Sequence, residues 1–292
     1  MPAGRHLPCH VIDSLPLPLR FMQTVRKGSM MLAQERLVQE NANRYRKHGL
    51  LAVLWAGMAL AGQLKVCAES WPPFLYRDAD GDVAGMGAEW ISRAAGQLGM
   101  QPQYQFLSLH ACRKLAALGT VDALAFTPNR EQLEGWLFTR EPMVFWVLSA
   151  FVPYHSPHQS FRDLRQFDGQ RVGWGQFYRY PDRLVLKRGW QRLTAFDAEA
   201  VFTLLVRGKV DVVFDDERFV HQTLPLQSRR QMRALHPAAA AMPQPVAVRP
   251  GLPALVQALD NEAQAWRQKG LLDQFYRAQY DTPLERILAI SD

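Results

Sequence analysis

The sequence predicts an α/β protein built in two lobes, and three observations carry that expectation. From residue 64 onward, short apolar runs alternate with amphipathic helical segments, the pattern of parallel sheets flanked by helices. Val144 to Val152 is long, apolar and unbroken, as a strand crossing between lobes would be. Val246 to Arg249 supplies a return strand, so the first lobe is split in sequence.

Ahead of that pattern stands a leader, residues 1–61. Arg44, Arg46 and Lys47 form a positive n-region, Gly49 to Leu60 an apolar h-region, and Ala59-Leu60-Ala61 the small-x-small cleavage signature before Gly62. The apolar run is shorter than the ~20 residues a spanning helix needs. A cleaved export signal and a periplasmic product are expected, with translation starting at Met1, Met30 or Met31. Leu64-Lys65-Val66 is no lipobox for Cys67, so a lipoprotein is not expected.

The mature elements then follow in order. Leu64 to Ala68 reads as the first strand. Gly85 to Leu98 puts Met86, Trp90, Ile91, Ala94 and Leu98 on one helical face. Tyr104 to Leu107 is a strand, Cys112 to Leu118 a helix, and Ala123 to Phe126 a short buried strand. After the crossing strand come a short helix at Ser160 to Leu164, a strand at Val172 to Trp174, a helix at Glu199 to Val206 and a strand at Val210 to Phe214. The alanine-rich Pro237 to Pro245 segment reads as a loop or linker, and a helix pair fills Pro253 to Ala278. These assignments give a leader (1–61), a discontinuous first lobe (62–145 and 246–292) and a second lobe (146–245).

Charge narrows the partners. The chain carries net +7, but residues 1–61 hold eight Lys/Arg against three Asp/Glu, which leaves +2 for the rest. No basic block interleaved with aromatics occurs there, so nucleic acid is not expected as a partner. Neither a metal-ligand cluster, nor a nucleophile–base pair, nor a phosphate loop is legible, and no cofactor is expected.

One stretch bears on binding. Thr127-Pro128-Asn129-Arg130 opens a turn and presets a helix start, because proline fixes φ and lacks an N–H the helix would leave orphaned. Arg130 stands where free backbone amides already favour an anion, and its planar guanidinium suits a carboxylate.

Several segments, in order, resemble the family 3 extracellular solute-binding proteins, the periplasmic receptors of polar amino acid uptake. They are Trp71-Pro72-Pro73-Phe74, Asp78-Ala79-Asp80-Gly81 with Gly85 to Glu89, the junctions Gly119-Thr120-Val121-Asp122-Ala123 and Gly208-Lys209-Val210-Asp211-Val212, Gly169 to Gly173, and Gly270-Leu271-Leu272. The resemblance spans residues 64 to about 282. It implies the two-lobed periplasmic-binding-protein fold of type II, each lobe a mainly parallel sheet flanked by helices, joined by two hinge crossings. It also implies a monomer that hands a small solute to an inner-membrane ABC permease.

The resemblance assigns a cleft as well. Arg130 would hold a ligand carboxylate, with Thr127 in the same turn, and Asp216 the ammonium, with Asp215 as the alternative. Trp71 and Glu69 would line the side-chain pocket, facing Gly175, Gln176, Phe177 and Tyr178 from the second lobe. This chain departs from the pattern in three places: Ala123 to Phe126 is apolar where the family has Ser/Thr donors, Ala68 replaces an acidic residue, and Leu109 an aromatic. An alternative on the same scaffold is an enzyme resembling periplasmic cyclohexadienyl dehydratases, with Glu69 or Asp216 as general acid. Cys9 falls in the leader, leaving Cys67 and Cys112 as an even pair in an oxidising compartment. A disulfide and two buried thiols are both compatible with the sequence.

Overall fold

The computed structural model describes residues 62–128 and 133–291; the export signal and Arg130 lie outside the described residues. Strand β1 (Gly62–Ala68) leads into the Trp71–Leu75 turn, a small hairpin of β2 (Tyr76–Arg77) and β3 (Val83–Ala84), and helix α1 (Met86–Gln97). Gly85 sets the entry to α1 with φ 109°, and a Cβ there would stand 2.3 Å from the Phe74 carbonyl oxygen, so only glycine permits the approach. α1 buries Met86, Trp90, Ile91 and Ala94 as its periodicity predicts, but Leu98, expected on the same face, is the helix C-cap and is exposed. Next come β4 (Met100–Phe106), α2 (Leu109–Ala117), β5 (Ala123–Ala125) and β6 (Leu137–Phe138). The Ser108 side chain caps α2 by accepting from the Ala111 amide at 3.3 Å.

The crossing strand β7 (Phe145–Pro153) opens the second half of the fold. It is followed by a 3₁₀ turn at Leu164–Phe167, β8 (Arg171–Gly175), α3 (Asp182–Val185), β9 (Gln191–Ala195), α4 (Ala198–Val206) and β10 (Val212–Asp216). α5 (Glu217–Thr223), α6 (Leu226–Arg229) and β11 (Met232–Pro243) bring the chain back to β12 (Ala247–Val248). Helices α7 (Pro253–Gln268), α8 (Leu271–Tyr280) and α9 (Leu284–Ala289) finish it.

Two five-stranded sheets result, ordered β4-β1-β5-β12-β6 and β11-β7-β10-β8-β9. Each has a parallel portion, β4-β1-β5 in the first and β10-β8-β9 in the second, while the crossing and return strands pair antiparallel. Both crossings run side by side as a ribbon, with Pro243 opposite Phe145 and the Gln244 amide donating to the Val144 carbonyl at 2.8 Å. Tyr276 of α8 pins the ribbon's start: its hydroxyl accepts from the Phe145 amide at 2.9 Å and donates to the Met143 carbonyl at 3.0 Å. Separate apolar clusters pack on the two sheets, and Trp71 touches one of each.

Two sequence expectations change. Pro237 to Pro245 is no loop: Ala240 to Pro243 pair with Leu148 to Phe145 as the second half of β11. Alanine is a poor strand former, but Ala239, Ala240 and Ala241 are buried, and burial against β7 overrides propensity. The register shifts between Leu235 and Ala240, where Pro237 would otherwise interrupt the ladder. The helix expected at Ser160 to Leu164 starts only at Leu164, because the Asp163 side chain accepts from the Arg165 amide at 2.7 Å and fixes the first turn there. Cys67 and Cys112 are joined by a disulfide across 45 residues, with their Cα atoms 5.5 Å apart, and tie β1 to α2.

Candidate functional site

The loop after β1 and the end of β10 face each other across a cavity of about 70 Å³. From the first-sheet side come Glu69, Ser70, Trp71, Leu109, Ala125, Phe126 and Pro128. Trp146, Tyr178, Arg179, Ala198, Asp215, Phe219 and Gln244 complete the lining. A second cavity of about 260 Å³ adjoins it, sharing Pro128 and Arg179 and adding Thr139, Arg140 and Pro142.

Hydrogen bonds cross between the two sides. Tyr178 donates its hydroxyl to Glu69 Oε1 at 3.3 Å, and Arg113 Nη2 donates to the Phe177 carbonyl at 3.1 Å. The Phe177 ring stacks on His110 at 4.6 Å. Trp71 Nε1 donates to Asp216 Oδ2 at 3.1 Å, where Tyr280 also donates at 2.9 Å. Asp216 Oδ1 meanwhile accepts from the Arg218 and Phe219 amides at 2.8 and 3.3 Å, which makes it the N-cap of α5.

Three carboxyl groups gather here, and each is pushed up to about 7. Burial is the main cause for Glu69, with Asp197 adding to it while the Tyr178 hydroxyl and Arg113 oppose it. Asp215 is raised by burial against the pull of the Asp216 amide and of Trp146, whose Nε1 donates at 3.0 Å. Asp216 is raised by burial and by neighbouring Asp215, against the bonds from Tyr280 and the α5 amides. Burial also holds the Tyr178 and Tyr180 hydroxyls protonated, far above their ordinary values.

The residues singled out from sequence are sorted by this geometry. Glu69, Trp71 and Tyr178 line the cavity together. Asp216 does not: it is fully buried behind the wall with four donors, and its neighbour Asp215 takes the place on the lining. Thr127 is fully buried too, its amide donating to the Pro245 carbonyl at 2.9 Å. Gln176 is exposed, and Phe177 contacts α2 rather than the cavity. Gly175 acts through what it lacks, since a Cβ would stand 2.3 Å from the Tyr178 ring. Sequence reasoning missed Trp146, Arg179, Phe219 and Gln244. In sequence Trp146 reads as one more residue of an apolar strand, and Phe219 follows an acidic run that reads as a solvated strand end. Among the described residues no group of three or more His, Cys, Asp or Glu is placed to hold a metal ion.

The model of the bacterial extracellular solute-binding proteins, family 3, matches residues 64–280. The chain belongs to this family. It is therefore a solute-binding protein rather than an enzyme. A search of curated proteins finds no match. Among solved structures, a mutant of ArgBP from T. maritima aligns with TM-score 0.58 at 16% identity, covering 76% of this chain and 96% of its own. An ancestral arginine-binding protein bound to arginine aligns at 0.58 and 19%, covering 76% and 100%. Tv2483 bound to L-arginine aligns at 0.59 and 15%, covering 79% and 95%. At these identities the likeness is one of fold: the two-lobed architecture of periplasmic binding proteins.

Proposed function

We propose that this protein is an exported, periplasmic receptor that captures a small carboxylate-bearing solute, an amino acid or derivative, for an ABC-type importer in the inner membrane. The observation carrying this reading is the cavity lined from both sheets, whose walls are already bonded to each other through Glu69–Tyr178 and Trp71–Asp216. A solute seated there touches both lobes, so it binds the closed form better than the open one and shifts that equilibrium. Arg130 is retained as the carboxylate anchor. Arg179 brings a guanidinium to the cavity wall.

A thermal-shift and calorimetric panel of amino acids and small carboxylates tests the reading. Arg130→Lys keeps the charge and loses the planar fork, so it should weaken a carboxylate ligand substantially; Arg130→Ala should cost several kcal/mol. Unchanged affinity in both variants would reject Arg130 as the anchor.

A further inference from the structure

The lining of the smaller cavity is mainly aromatic. Five aromatic side chains border it: Trp71, Phe126, Trp146, Tyr178 and Phe219. Two carboxylates stand among them, and each accepts on one oxygen only among the described residues. Glu69 accepts only at Oε1, from Tyr178, and Asp215 only at Oδ1, from Trp146 and the Asp216 amide. Oε2 and Oδ2 accept no hydrogen bond among the described residues. Both indole N–H groups are spent on Asp215 and Asp216, which fixes those two rings by their edges.

We propose that this aromatic compartment is a site for a methylated ammonium group, with the solute's carboxylate running past Arg179 into the adjoining 260 Å³ cavity. The proposal rests on the receptor reading and narrows its ligand class. Aromatic rings attract a cation through their negative faces, and quaternary ammonium groups are recognised by cages of them. A primary ammonium carries three N–H donors that each need an acceptor, whereas a methylated one spreads its charge over methyls that pack against rings. The remaining carboxylate oxygens then supply charge without directed bonds. The opposite polarity lies at the other end, where Arg140 borders the larger cavity alone, while Arg179 stands on the wall the two cavities share. Negative and aromatic at one end, guanidinium at the other, the pair of cavities matches a dipolar solute in one orientation. Together they reach only the lower end of the ~300–1,000 Å³ usual for small-molecule sites, which favours a compact solute.

The test is calorimetry and tryptophan fluorescence on the exported, disulfide-bonded chain with trimethylglycine, glycine, tetramethylammonium chloride and acetate, at fixed ionic strength. Trimethylglycine should bind about tenfold or more tighter than glycine, and tetramethylammonium should compete with it. Phe219→Leu should lose about fivefold for trimethylglycine with circular dichroism unchanged, Phe219→Tyr should retain binding, and Glu69→Gln should lose about tenfold. Glycine binding as tightly as trimethylglycine, or Phe219→Leu binding it normally, overturns the cation site and leaves the receptor standing. Silence from trimethylglycine while other amino acids or carboxylates bind does the same. Silence from this panel and from the amino acids and small carboxylates of the receptor test overturns both.

Discussion

The seam behind the cleft and the cavity in front of it hold the same chemistry in opposite states. At the seam, Asp216 accepts four hydrogen bonds, from Trp71 and Tyr280 on one oxygen and from two α5 amides on the other. In the cavity, Asp215 and Glu69 accept on one oxygen each among the described residues. Adjacent residues of one strand, Asp215 and Asp216, thus fall on different sides of the division between structure and site. Asp216 is committed on both oxygens and ties the two sides together, whereas Glu69 ties them through Tyr178 alone.

The sharpest way to break that comparison is to delete each acid in turn. Asp216→Ala leaves an indole N–H, a phenol and two backbone amides without their acceptor, and removes a helix cap. A loss of about 3–5 kcal/mol is expected in urea denaturation. Asp215→Ala removes the partner of Trp146 alone among side chains, so about 1–2 kcal/mol is expected. Equal losses for the two variants would show that the seam and the cavity are not distinct.

Titration sharpens the same contrast. Glu69, Asp215 and Asp216 all have folded values raised to about 7. These three groups therefore hold their protons more tightly in the folded state than in the unfolded chain, and the stability they contribute is fully present below about pH 4 and is lost as pH rises through about 7. The charged groups facing them are Arg113 and Asp197 at Glu69, and the carboxylates themselves at Asp215 and Asp216. A bound cation favours ionised Glu69 and Asp215 but touches nothing at Asp216. Saturating ligand should flatten part of the pH dependence and leave a residue belonging to the seam, and affinity for a cation should rise as pH passes 7. Differential scanning calorimetry between pH 4 and 8, with and without ligand, reads both. Stability rising from pH 4 to 8 would contradict the burial of all three acids.

Much of this architecture is legible in the chain. The alternation of strand and helix, the unbroken Val144 to Val152 run and the Trp71-Pro72-Pro73-Phe74 turn all belong to local patterns of period or turn chemistry. Ala239 to Ala241 do not, because a buried alanine strand looks like a linker until its partner β7 is known. The site shows the same limit. Glu69, Trp71 and Tyr178 lie beside recognisable turns and are found from sequence. Which of Asp215 and Asp216 faces the cavity depends on Tyr280, 64 residues later, arriving to claim one of them. Trp146 and Phe219 reach the cavity only because β7 and α5 are packed around the end of β10, and no spacing announces that.

The smallest expected effect lies where seam and cavity meet, at the Tyr178–Glu69 bond. At 3.3 Å it is long for an O–H···O contact, and it is the only hydrogen bond Glu69 receives from a side chain among the described residues. Tyr178→Phe keeps the ring against the cavity and removes the hydroxyl, so about 0.5–1 kcal/mol of stability should be lost. Its consequence for titration is larger than its energy, because that bond is the strongest influence opposing burial at Glu69. Without it the Glu69 carboxyl should titrate higher still, and a cation would meet a protonated acid across more of the neutral range. Affinity for trimethylglycine at pH 7 should therefore fall while affinity at pH 9 stays close to that of the parent. A uniform loss at both pH values would mean that the hydroxyl contacts the ligand itself, in addition to linking the two sides through Glu69.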